Sequence, residues 1–388
     1  MPVTTVTTGV QYSGKWTLQS QAQAVAAGTW TGLPFGALYG SGQNNFGQLG
    51  LNNTTSYSSP KQVGLLATWK FVKIAYNSHT LAIKNDGTLW SWGKNNNGQL
   101  GLNNRTYYSS PKQIGALTAW LTVSGSYFQS VAIKTDGTLW SWGANTVGQL
   151  GLGNTVAYSS PKQVGSLTNW LNVACGYNFT MAVKTDGTLW GWGGNINGQL
   201  GLGNRTAYSS PKQIGLLTNW SSASGSRNNF AAAIKTDGTL WMWGINGDGN
   251  LGQGNLTSYS SPKQVGSLTN WVSIDVSNTN TFAIATKTDG TLWGWGRGSN
   301  GQLGLNNTTK YSSPKQVGSL TNWLNVATGY GWVLSIKTNG TLWAWGTNTN
   351  GQFGNGTTTD ISSPIQIGAL SNWLKVSASY QSTMAITN

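Results

Sequence analysis

Short runs of alternating apolar and polar residues, separated by glycine-rich turns, fill this chain from residue 37 onward. In one representative unit, Trp170–Ala174 alternates and Thr180–Lys184 forms a second apolar run. A third run, Thr188–Gly193, follows an Asp-Gly pair, which favours a hairpin because glycine accepts a positive φ. The fourth run, Ser160–Val164, carries a proline near its start, where a missing N–H costs least. Since no helical period appears in the array, the pattern predicts four short antiparallel strands per unit.

The four-strand unit recurs with a nearly fixed spacing. The motif Asp-Gly-Thr-Leu-Trp-x-Trp-Gly occurs five times, and a sixth copy carries Asn in the first position. The first tryptophans of successive motifs are 50, 50, 51, 52 and 50 residues apart, at Trp90, Trp140, Trp190, Trp241, Trp293 and Trp343. Repeats of this period are typical of solenoids and propellers. Seven units of four strands predict an all-β fold, a seven-bladed β-propeller of four-stranded antiparallel blades over residues 37–388.

The two ends of the array complement each other. The chain finishes at Thr383–Asn388 with a second strand that has no turn and no third strand after it. The array begins at Leu38–Gly42 with a third strand that has no second strand before it. We therefore expect the ring to be closed by pairing of the N- and C-terminal strands, which leaves no open sheet edge.

The chain contains few residues that could carry chemistry. It has no Glu, and five of its eight Asp residues lie in the repeated Asp-Gly turn. Acid–base catalysis needs paired carboxylates or a positioned histidine, and metal sites need clusters of His, Cys or carboxylate. The composition therefore predicts a protein that is not an enzyme and takes no cofactor or metal. We expect the single histidine, His79, and the single cysteine, Cys175, to be buried structural residues.

The repeat also accounts for the basic charge and for the tryptophans. The formal net charge is +14, but 12 of the 22 Lys and Arg residues recur at two repeat positions, one in Ser-Ser-Pro-Lys-Gln and one before the hairpin turn. At the position before the hairpin turn, the negative charge of the following Asp can offset the positive charge of the lysine. Specific nucleic-acid binding needs a basic patch on one face, so none is expected. Since 19 of the 22 Trp residues are periodic too, we expect them to pack within and between blades.

The repeat is similar to that of the regulator of chromosome condensation family. The resemblance rests on a Trp/Val strand followed by Gly-x-x-x-(Ser/Thr)-x-Ala, then Asp-Gly-x-Leu-x-x-Trp-Gly, then Asn-x-x-Gly-Gln-Leu-Gly. It covers residues 37–388 and implies a seven-bladed propeller, whereas the fold alone does not imply a function. Two activities of the family, nucleotide exchange on the Ran GTPase and UV-B sensing, are not expected. The acidic residues that nucleotide exchange would need have no counterpart here. The pairs of Trp and Arg that UV-B sensing would need have none either.

Residues 1–36 precede the array and differ from it. They contain the aromatic residues Tyr12, Trp16 and Trp30, a helix-forming stretch that ends at a glycine, and no stretch that could span a membrane. With Tyr-x-Gly-x-Trp-x-Leu at Tyr12–Leu18 and Ala-Ala-Gly-Thr-Trp at Ala26–Trp30, the segment resembles the leader of structural proteins of marine tailed phages. Two interpretations stay open. The segment is either a strap packed on the propeller or an anchor that docks Tyr12, Trp16 and Trp30 against other virion proteins.

The loop between the first two strands of each blade varies, unlike the rest of the repeat. Seven such loops should ring one face of the disc. Their aromatic rings and polar groups suit a sugar or a polar protein surface, although loops also vary without any function. The candidate binding residues are Tyr127, Phe128, Tyr177, Phe179, Arg227, Tyr330, Trp332 and Tyr380.

Together these features favour a non-enzymatic display protein on the capsid or tail surface of a virion, as a decoration protein or a tail fibre. The leader would join it to other virion proteins, and the propeller, alone or as a homo-oligomer, would bind a host-surface glycan or protein. The alternative is an intracellular scaffold that binds a partner protein, and a secreted adhesin is a third interpretation. Low charge and the absence of Glu favour an exterior surface, since scaffolds in the cytoplasm more often carry mixed charge.

Overall fold

The computed structural model describes residues 36–65, 67–76, 78–227, 229–277 and 281–388. All regular structure in these residues is β-strand, and the strands form seven four-stranded antiparallel sheets. The predicted all-β, seven-bladed propeller is therefore confirmed. The proposed leader lies outside the described residues, apart from Gly36.

Each blade takes four strands, which are numbered here in chain order. They are β1 (Leu38–Gly42), β2 (Tyr57–Gln62), β3 (Trp69–Ala75), β4 (His79–Lys84), β5 (Leu89–Gly93), β6 (Tyr108–Gln113), β7 (Trp120–Gly125), β8 (Gln129–Lys134), β9 (Leu139–Gly143), β10 (Tyr158–Gln163), β11 (Trp170–Cys175), β12 (Phe179–Lys184), β13 (Leu189–Gly193), β14 (Tyr208–Gln213), β15 (Trp220–Gly225), β16 (Phe230–Lys235), β17 (Leu240–Gly244), β18 (Tyr259–Gln264), β19 (Trp271–Val276), β20 (Phe282–Lys287), β21 (Leu292–Gly296), β22 (Tyr311–Gln316), β23 (Trp323–Thr328), β24 (Trp332–Lys337), β25 (Leu342–Gly346), β26 (Ile361–Gln366), β27 (Trp373–Ala378) and β28 (Ser382–Thr387).

Blades 1 to 6 are each continuous in sequence, from β3–β6 to β23–β26. Blade 7 joins the chain ends, in the order β2-β1-β28-β27. Its central pair is antiparallel, with Leu38 opposite Ile386 and Gly42 opposite Ser382. The predicted closure of the ring by its two ends is confirmed. No edge of β1 or β28 is left open, since each has a strand on both sides.

The Asp-Gly hairpins fold as the sequence predicts. In blade 3 the N–H of Gly187, at φ 76°, donates to the carbonyl of Lys184 at 3.0 Å. The Asp186 carboxylate accepts hydrogen bonds from the N–H and the hydroxyl of Thr188, at 2.9 and 2.6 Å. The Thr188 hydroxyl in turn accepts the indole N–H of Trp190 at 2.8 Å. One turn therefore fixes both the hairpin and the first tryptophan of the motif.

The hydrophobic core is divided among the interfaces between blades. Seven clusters of buried residues each combine side chains from two neighbouring blades. The second tryptophan of the motif crosses the interface: the indole N–H of Trp192 in blade 3 donates to the carbonyl of Gln149 in blade 2, at 3.1 Å. The same bond recurs at Trp92, Trp142, Trp243, Trp295 and Trp345. This confirms that the periodic tryptophans pack within and between blades.

The lysine before each hairpin turn lies over indole rings. The ammonium of Lys184 is 4.9 Å from the ring centre of Trp170 and 3.9 Å from that of Trp190. Burial lowers the pKa of Lys184, and the charge of Asp186 raises it by less. The expected offset by Asp is thus real but secondary, since the indole faces are the nearest partners of the cation.

The first strand of each blade lines the axis of the propeller, because first strands of consecutive blades pack against each other. In an antiparallel blade, the loops from first to second strand and from third to fourth strand leave at the same end. We call this end the loop face. The hairpin turns and the connections between blades leave at the opposite end, the turn face.

Candidate partner-binding face

One repeat position brings side chains from six blades to the axis. Each first strand begins with a tryptophan, and the residue seven positions later lies at the start of the first-to-second loop. In blade 5 that residue is Asn278, which is outside the described residues. In the other six blades it is Tyr76, Tyr127, Tyr177, Arg227, Tyr330 or Tyr380. We call these six residues the tyrosine rosette.

The five tyrosines of the rosette form a continuous arc. Tyr330 and Tyr380 have ring centres 4.6 Å apart, and Tyr380 lies 5.2 Å from Tyr76. Tyr76 stacks on Tyr127 at 5.9 Å, and Tyr127 meets Tyr177 edge to face at 5.1 Å. Tyr76 is buried and the other four are half-buried. Such pairs contribute about 0.5–1.5 kcal/mol beyond the area they bury, so the arc is well ordered.

Arg227 reaches across the axis into this arc. Its guanidinium carbon lies 5.3, 4.5 and 5.1 Å from the ring centres of Tyr177, Tyr127 and Tyr76. These tyrosines belong to blades 3, 2 and 1, so the side chain from blade 4 spans three neighbours. Cation–π contacts contribute about 0.5–2 kcal/mol each, with the larger value in dry surroundings. The described part of the rosette is therefore an arc of tyrosine rings with one cation packed against three of them.

The charge of Arg227 acts on Tyr380. Burial raises the pKa of Tyr380, and nearby Tyr330 raises it further, while Arg227 lowers it. Within the part of the chain that the structure describes, the ion pairs found are those of Asp248 with Arg297 and Lys310. Arg227 thus has aromatic faces, and no carboxylate, as its described neighbours.

Deeper along the axis, Asp275 of β19 links three blades. One carboxylate oxygen accepts the N–H and the hydroxyl of Thr328 in blade 6, at 2.8 and 3.0 Å. The other accepts the hydroxyl of Ser224 in blade 4 at 3.3 Å. Similar bonds join other first strands, such as that from the N–H of Cys175 to the Ser124 hydroxyl at 3.1 Å. Asp275 is therefore committed to holding the inner ring together.

The structure brings together five of the eight binding residues expected from the sequence. Tyr127, Tyr177, Arg227, Tyr330 and Tyr380 are members of the rosette. Phe128 adjoins it, since its ring centre is 4.3 Å from that of Tyr127 and 6.1 Å from that of Tyr177. The loops of blades 1 and 4, as delimited from the sequence, include Asn77 and Asn228, which lie outside the described residues, as do Tyr12, Trp16 and Trp30.

The expectation that Phe179 and Trp332 face a partner is wrong. Both are fully buried, because the second strand begins at these residues and its pleat directs them between blades. The ring of Trp332 packs near Phe353 at 6.4 Å, and its indole N–H donates to the carbonyl of Tyr380 at 3.1 Å. Trp332 therefore supports the loop that carries Tyr380 from within the blade interface, and it offers no surface to a ligand.

Sequence reasoning missed Tyr76. Tyr76 is the blade 1 counterpart of Tyr127, Tyr177, Tyr330 and Tyr380, but it is not among the candidate binding residues expected from the sequence. The signal was present, because Tyr76 is seven residues after Trp69, as Tyr127 is after Trp120. Every member of the rosette can be found by counting seven residues from the tryptophan that begins the first strand of its blade.

His79 and Cys175 are buried, as expected. The Nε2 atom of His79 is 3.0 Å from the Ser130 hydroxyl of the next blade, and burial lowers the histidine pKa to about 3. Burial raises the pKa of the Cys175 thiol to about 12. Both side chains are therefore neutral near pH 7.

The turn face carries a different surface. One leucine in each described connection between blades is about half exposed, with values of 46 to 52%, at Leu117, Leu167, Leu217, Leu268, Leu320 and Leu370. Leu65 and Leu216 are almost fully exposed. These leucines are spread around the rim of the turn face, whereas the rosette is concentrated on the axis.

Among the described residues, no group of three His, Cys or acidic side chains could hold a metal ion. The same residues contain no helix with the length and apolarity needed to cross a bilayer.

Comparison with known families explains the architecture. Residues 13–283 match the model of the RCC1-like domain, and residues 289–336 and 339–386 each match the regulator of chromosome condensation (RCC1) repeat. The chain belongs to the RCC1-like family. The resemblance noted in the repeat is confirmed.

The chain also matches segments of longer curated proteins. The human E3 ubiquitin-protein ligase HERC2 is 29% identical over 313 residues, which cover 76% of this chain and 5% of the ligase. The RCC2 homolog of Xenopus laevis is 35% identical over 98 residues, covering 25% of this chain and 19% of the homolog. The chain thus spans under a fifth of the length of either relative.

Solved RCC1-like structures share the fold. Yeast RCC1 (Prp20) bound to Kap60 superposes with a TM-score of 0.83 at 19% identity, covering 100% of this chain and 96% of the other. Prp20p of Saccharomyces cerevisiae alone, a protein with binding properties toward Gsp1p and histones, gives 0.81 at 20% identity, with 92% of each chain covered. Human WBSCR16 superposes with a TM-score of 0.79 at 20% identity, covering 91% of this chain and 99% of the other. At these identities the similarity establishes the seven-bladed fold.

Proposed function

We propose that this RCC1-like propeller is a non-enzymatic protein-interaction scaffold that binds its partner on the loop face, at the tyrosine rosette. One observation carries the proposal. A single repeat position holds five tyrosines and one arginine, and the fold gathers them at the axis.

The composition of the rosette fits an anchor site. Tyrosine and arginine are enriched among the residues that contribute most to protein–protein binding, and such residues cluster near the centre of an interface. Tyr127, Tyr177, Tyr330 and Tyr380 are half-buried, so their rings are already held in place and lose little entropy on binding. The half-buried ring of Phe128 extends the apolar surface. The binding of Prp20p to Gsp1p and histones is a precedent for partner binding by such a propeller.

Replacing rosette tyrosines tests the proposal. Tagged wild-type protein and a Tyr127→Ser, Tyr380→Ser variant are crosslinked in native cells, and bound proteins are quantified by mass spectrometry. The control is Tyr158→Ser, Tyr208→Ser, which removes tyrosines from the outermost strands β10 and β14. We expect the partner to be recovered with the wild type and the control but not with the rosette variant. Equal recovery with both variants, each shown to be folded by circular dichroism, contradicts the proposal.

A second, finer proposal is display on a virion. It is supported by the resemblance of residues 1–36 to a phage leader and by the absence of Glu from the chain. In this case the partner is another virion protein bound through Tyr12, Trp16 or Trp30, and the rosette faces a host-surface glycan or protein. Deleting residues 1–36 should leave a folded propeller that is missing from purified particles when these are analysed by mass spectrometry. Absence of the wild-type protein from particles contradicts this role, and unfolding of the deletion variant favours the strap.

A further inference from the structure

We propose that Arg227 binds a carboxylate, and that the tyrosine rosette thereby recognises an acidic side chain of a partner protein. The inference rests on the scaffold function proposed above and adds the chemistry of the ligand.

The first observation is an uncompensated charge. The guanidinium of Arg227 lies among three tyrosine rings, and the ion pairs of the described residues do not include it. Asp275, the acid of the first strands, is occupied by Thr328 and Ser224. Ring faces satisfy a cation electrostatically but accept no strong hydrogen bonds in the plane of the guanidinium. The N–H groups at its edge are therefore suited to an incoming acceptor.

The second observation is that the guanidinium is already oriented. Its carbon lies 4.5 to 5.3 Å from ring centres of three blades, and these contacts hold the guanidinium in place before any ligand arrives. A planar fork of donors matches a carboxylate with two parallel hydrogen bonds, and a fixed fork loses little freedom on binding. The tyrosines that flank it also lower the local dielectric constant, which strengthens a charge-assisted bond.

The charge balance favours a carboxylate over a phosphate. The described members of the rosette supply one positive charge, from Arg227, and five neutral phenols. A carboxylate cancels that charge, whereas a phosphate dianion leaves one negative charge unmatched in a half-buried site, which is costly. The net charge of +14 on the chain also attracts an acidic partner over longer distances.

An acidic peptide complements the tyrosine rosette better than a free carboxylate does. The rings of Tyr127, Phe128 and Tyr177 lie within 4.3 to 6.1 Å of each other and form a half-buried apolar surface beside the guanidinium. The methylene groups and backbone of a Glu or Asp residue can pack on this surface while its carboxylate meets Arg227. The binding of the apolar part adds to that of the charge.

Calorimetric titration with a defined probe tests the inference. The probe is an acetylated, amidated hexaglutamate peptide, and the proteins are full-length wild type, Arg227→Gln, Arg227→Lys and Arg205→Gln. Arg205 is an exposed arginine outside the rosette and serves as the matched control. We expect Arg227→Gln to bind at least about tenfold more weakly, a loss of about 1.4 kcal/mol. Arg227→Lys should be intermediate, because it keeps the charge and loses the fork, and Arg205→Gln should bind as the wild type does.

Three outcomes overturn the inference. They are equal binding of the peptide by the wild type and Arg227→Gln, no binding by the wild type at about 1 mM peptide, and displacement of the peptide by inorganic phosphate more effectively than by acetate. A change in melting temperature of Arg227→Gln without a change in affinity assigns the residue a purely structural role. If the peptide result fails while the tyrosine variants still lose their partner in cells, the scaffold function stands and only the carboxylate chemistry is wrong.

Discussion

Lys375 carries a charge that the fold stabilises poorly. It lies on β27 of blade 7, and its ammonium is 5.0 Å from the ring centre of Phe71 on β3 of blade 1. Burial, together with repulsion from Lys70, lowers its pKa to about 8. Asp275 is the one acid on the described first strands, and it is on blade 5 with its oxygens occupied. The Phe71 ring is therefore the main compensation for the buried cation.

Replacing Lys375 by Met should stabilise the protein at pH 7, by about 1–3 kcal/mol, because the buried charge is removed and the stem is kept. The folded pKa is lowered below that of the unfolded chain, so wild-type stability rises as the pH increases from about 8 to 10.5. Lys375→Met should flatten that rise, as measured by urea unfolding across this pH range. Lys162→Met on the outer strand β10 is the control, with no such change. A wild-type slope retained in Lys375→Met contradicts the assignment.

The side chains of the rosette show how far a sequence can be interpreted residue by residue. Their loop was predictable, because it is the variable part of an otherwise constant unit. Their convergence on the axis was not, since it depends on which strand is innermost. Phe179 and Trp332 were misassigned because an aromatic residue at a loop–strand boundary has the same sequence signature whether it faces solvent or a neighbouring blade. The pleat of the strand, which only the paired structure fixes, decides between the two.

At the scale of the element, the Asp-Gly hairpin is an acid-sensitive unit. The hydrogen bond from the Thr188 hydroxyl is the main cause that lowers the pKa of Asp186; burial opposes it, and the hydrogen bond from the Thr188 N–H and the charge of Lys184 lower the pKa further. The pKa values of Asp86, Asp136 and Asp237 are lowered in the same way. A lowered folded pKa means that stability is present above the normal value of 3.8 and is lost as the pH falls through the folded value.

Blade 6 contains a natural control for this hairpin. There Asn339 replaces Asp and accepts the same two bonds from Thr341, at 3.2 and 2.7 Å. Asp186→Asn should therefore be nearly neutral at pH 7 and reduce the loss of stability below pH 4. Asp186→Ala should cost about 1 kcal/mol at pH 7, because the Thr188 donors lose their acceptor. Urea unfolding at pH 7 and pH 3.5 measures both effects. Equal stability of the Ala and Asn variants would show that the carboxylate does not hold the turn.

The four strands of each blade follow from local signals. Alternation, the Asp-Gly pair and the proline of the outer strand are all encoded within a few residues. The bonds between blades are not local in this sense. The indole of Trp192 donates to the carbonyl of Gln149, 43 residues earlier, and the repeat indicates that the tryptophan is buried without indicating its acceptor. Packing between elements therefore required the structure, whereas the elements themselves did not.

At the scale of the whole molecule, the ring is a chain of similar interfaces with one special blade. Blades 1 to 6 are each built from consecutive strands, so local unfolding of one can reverse without a search for distant partners. Blade 7 depends on contacts between residues more than 300 positions apart, from Leu38 opposite Ile386 to Gly42 opposite Ser382. The N–H of Thr387 adds a bond to the carbonyl of Ala37 at 3.1 Å. Because this blade pays the largest loop-closure entropy, unfolding should begin there.

Removing residues 382–388 should therefore open the ring. The truncation deletes β28, so β1 and β27 each lose a partner and present unpaired N–H and C=O groups to solvent. We expect aggregation, or loss of the single cooperative transition, in thermal unfolding followed by circular dichroism and light scattering. The control is a protease site inserted between Gly165 and Ser166, in the exposed connection between blades 2 and 3, and then cleaved. That cut breaks the chain but leaves every strand pair intact, so the cleaved ring should not aggregate and should keep its transition. A truncated protein that melts as the wild type does would show that the paired ends do not hold the propeller closed.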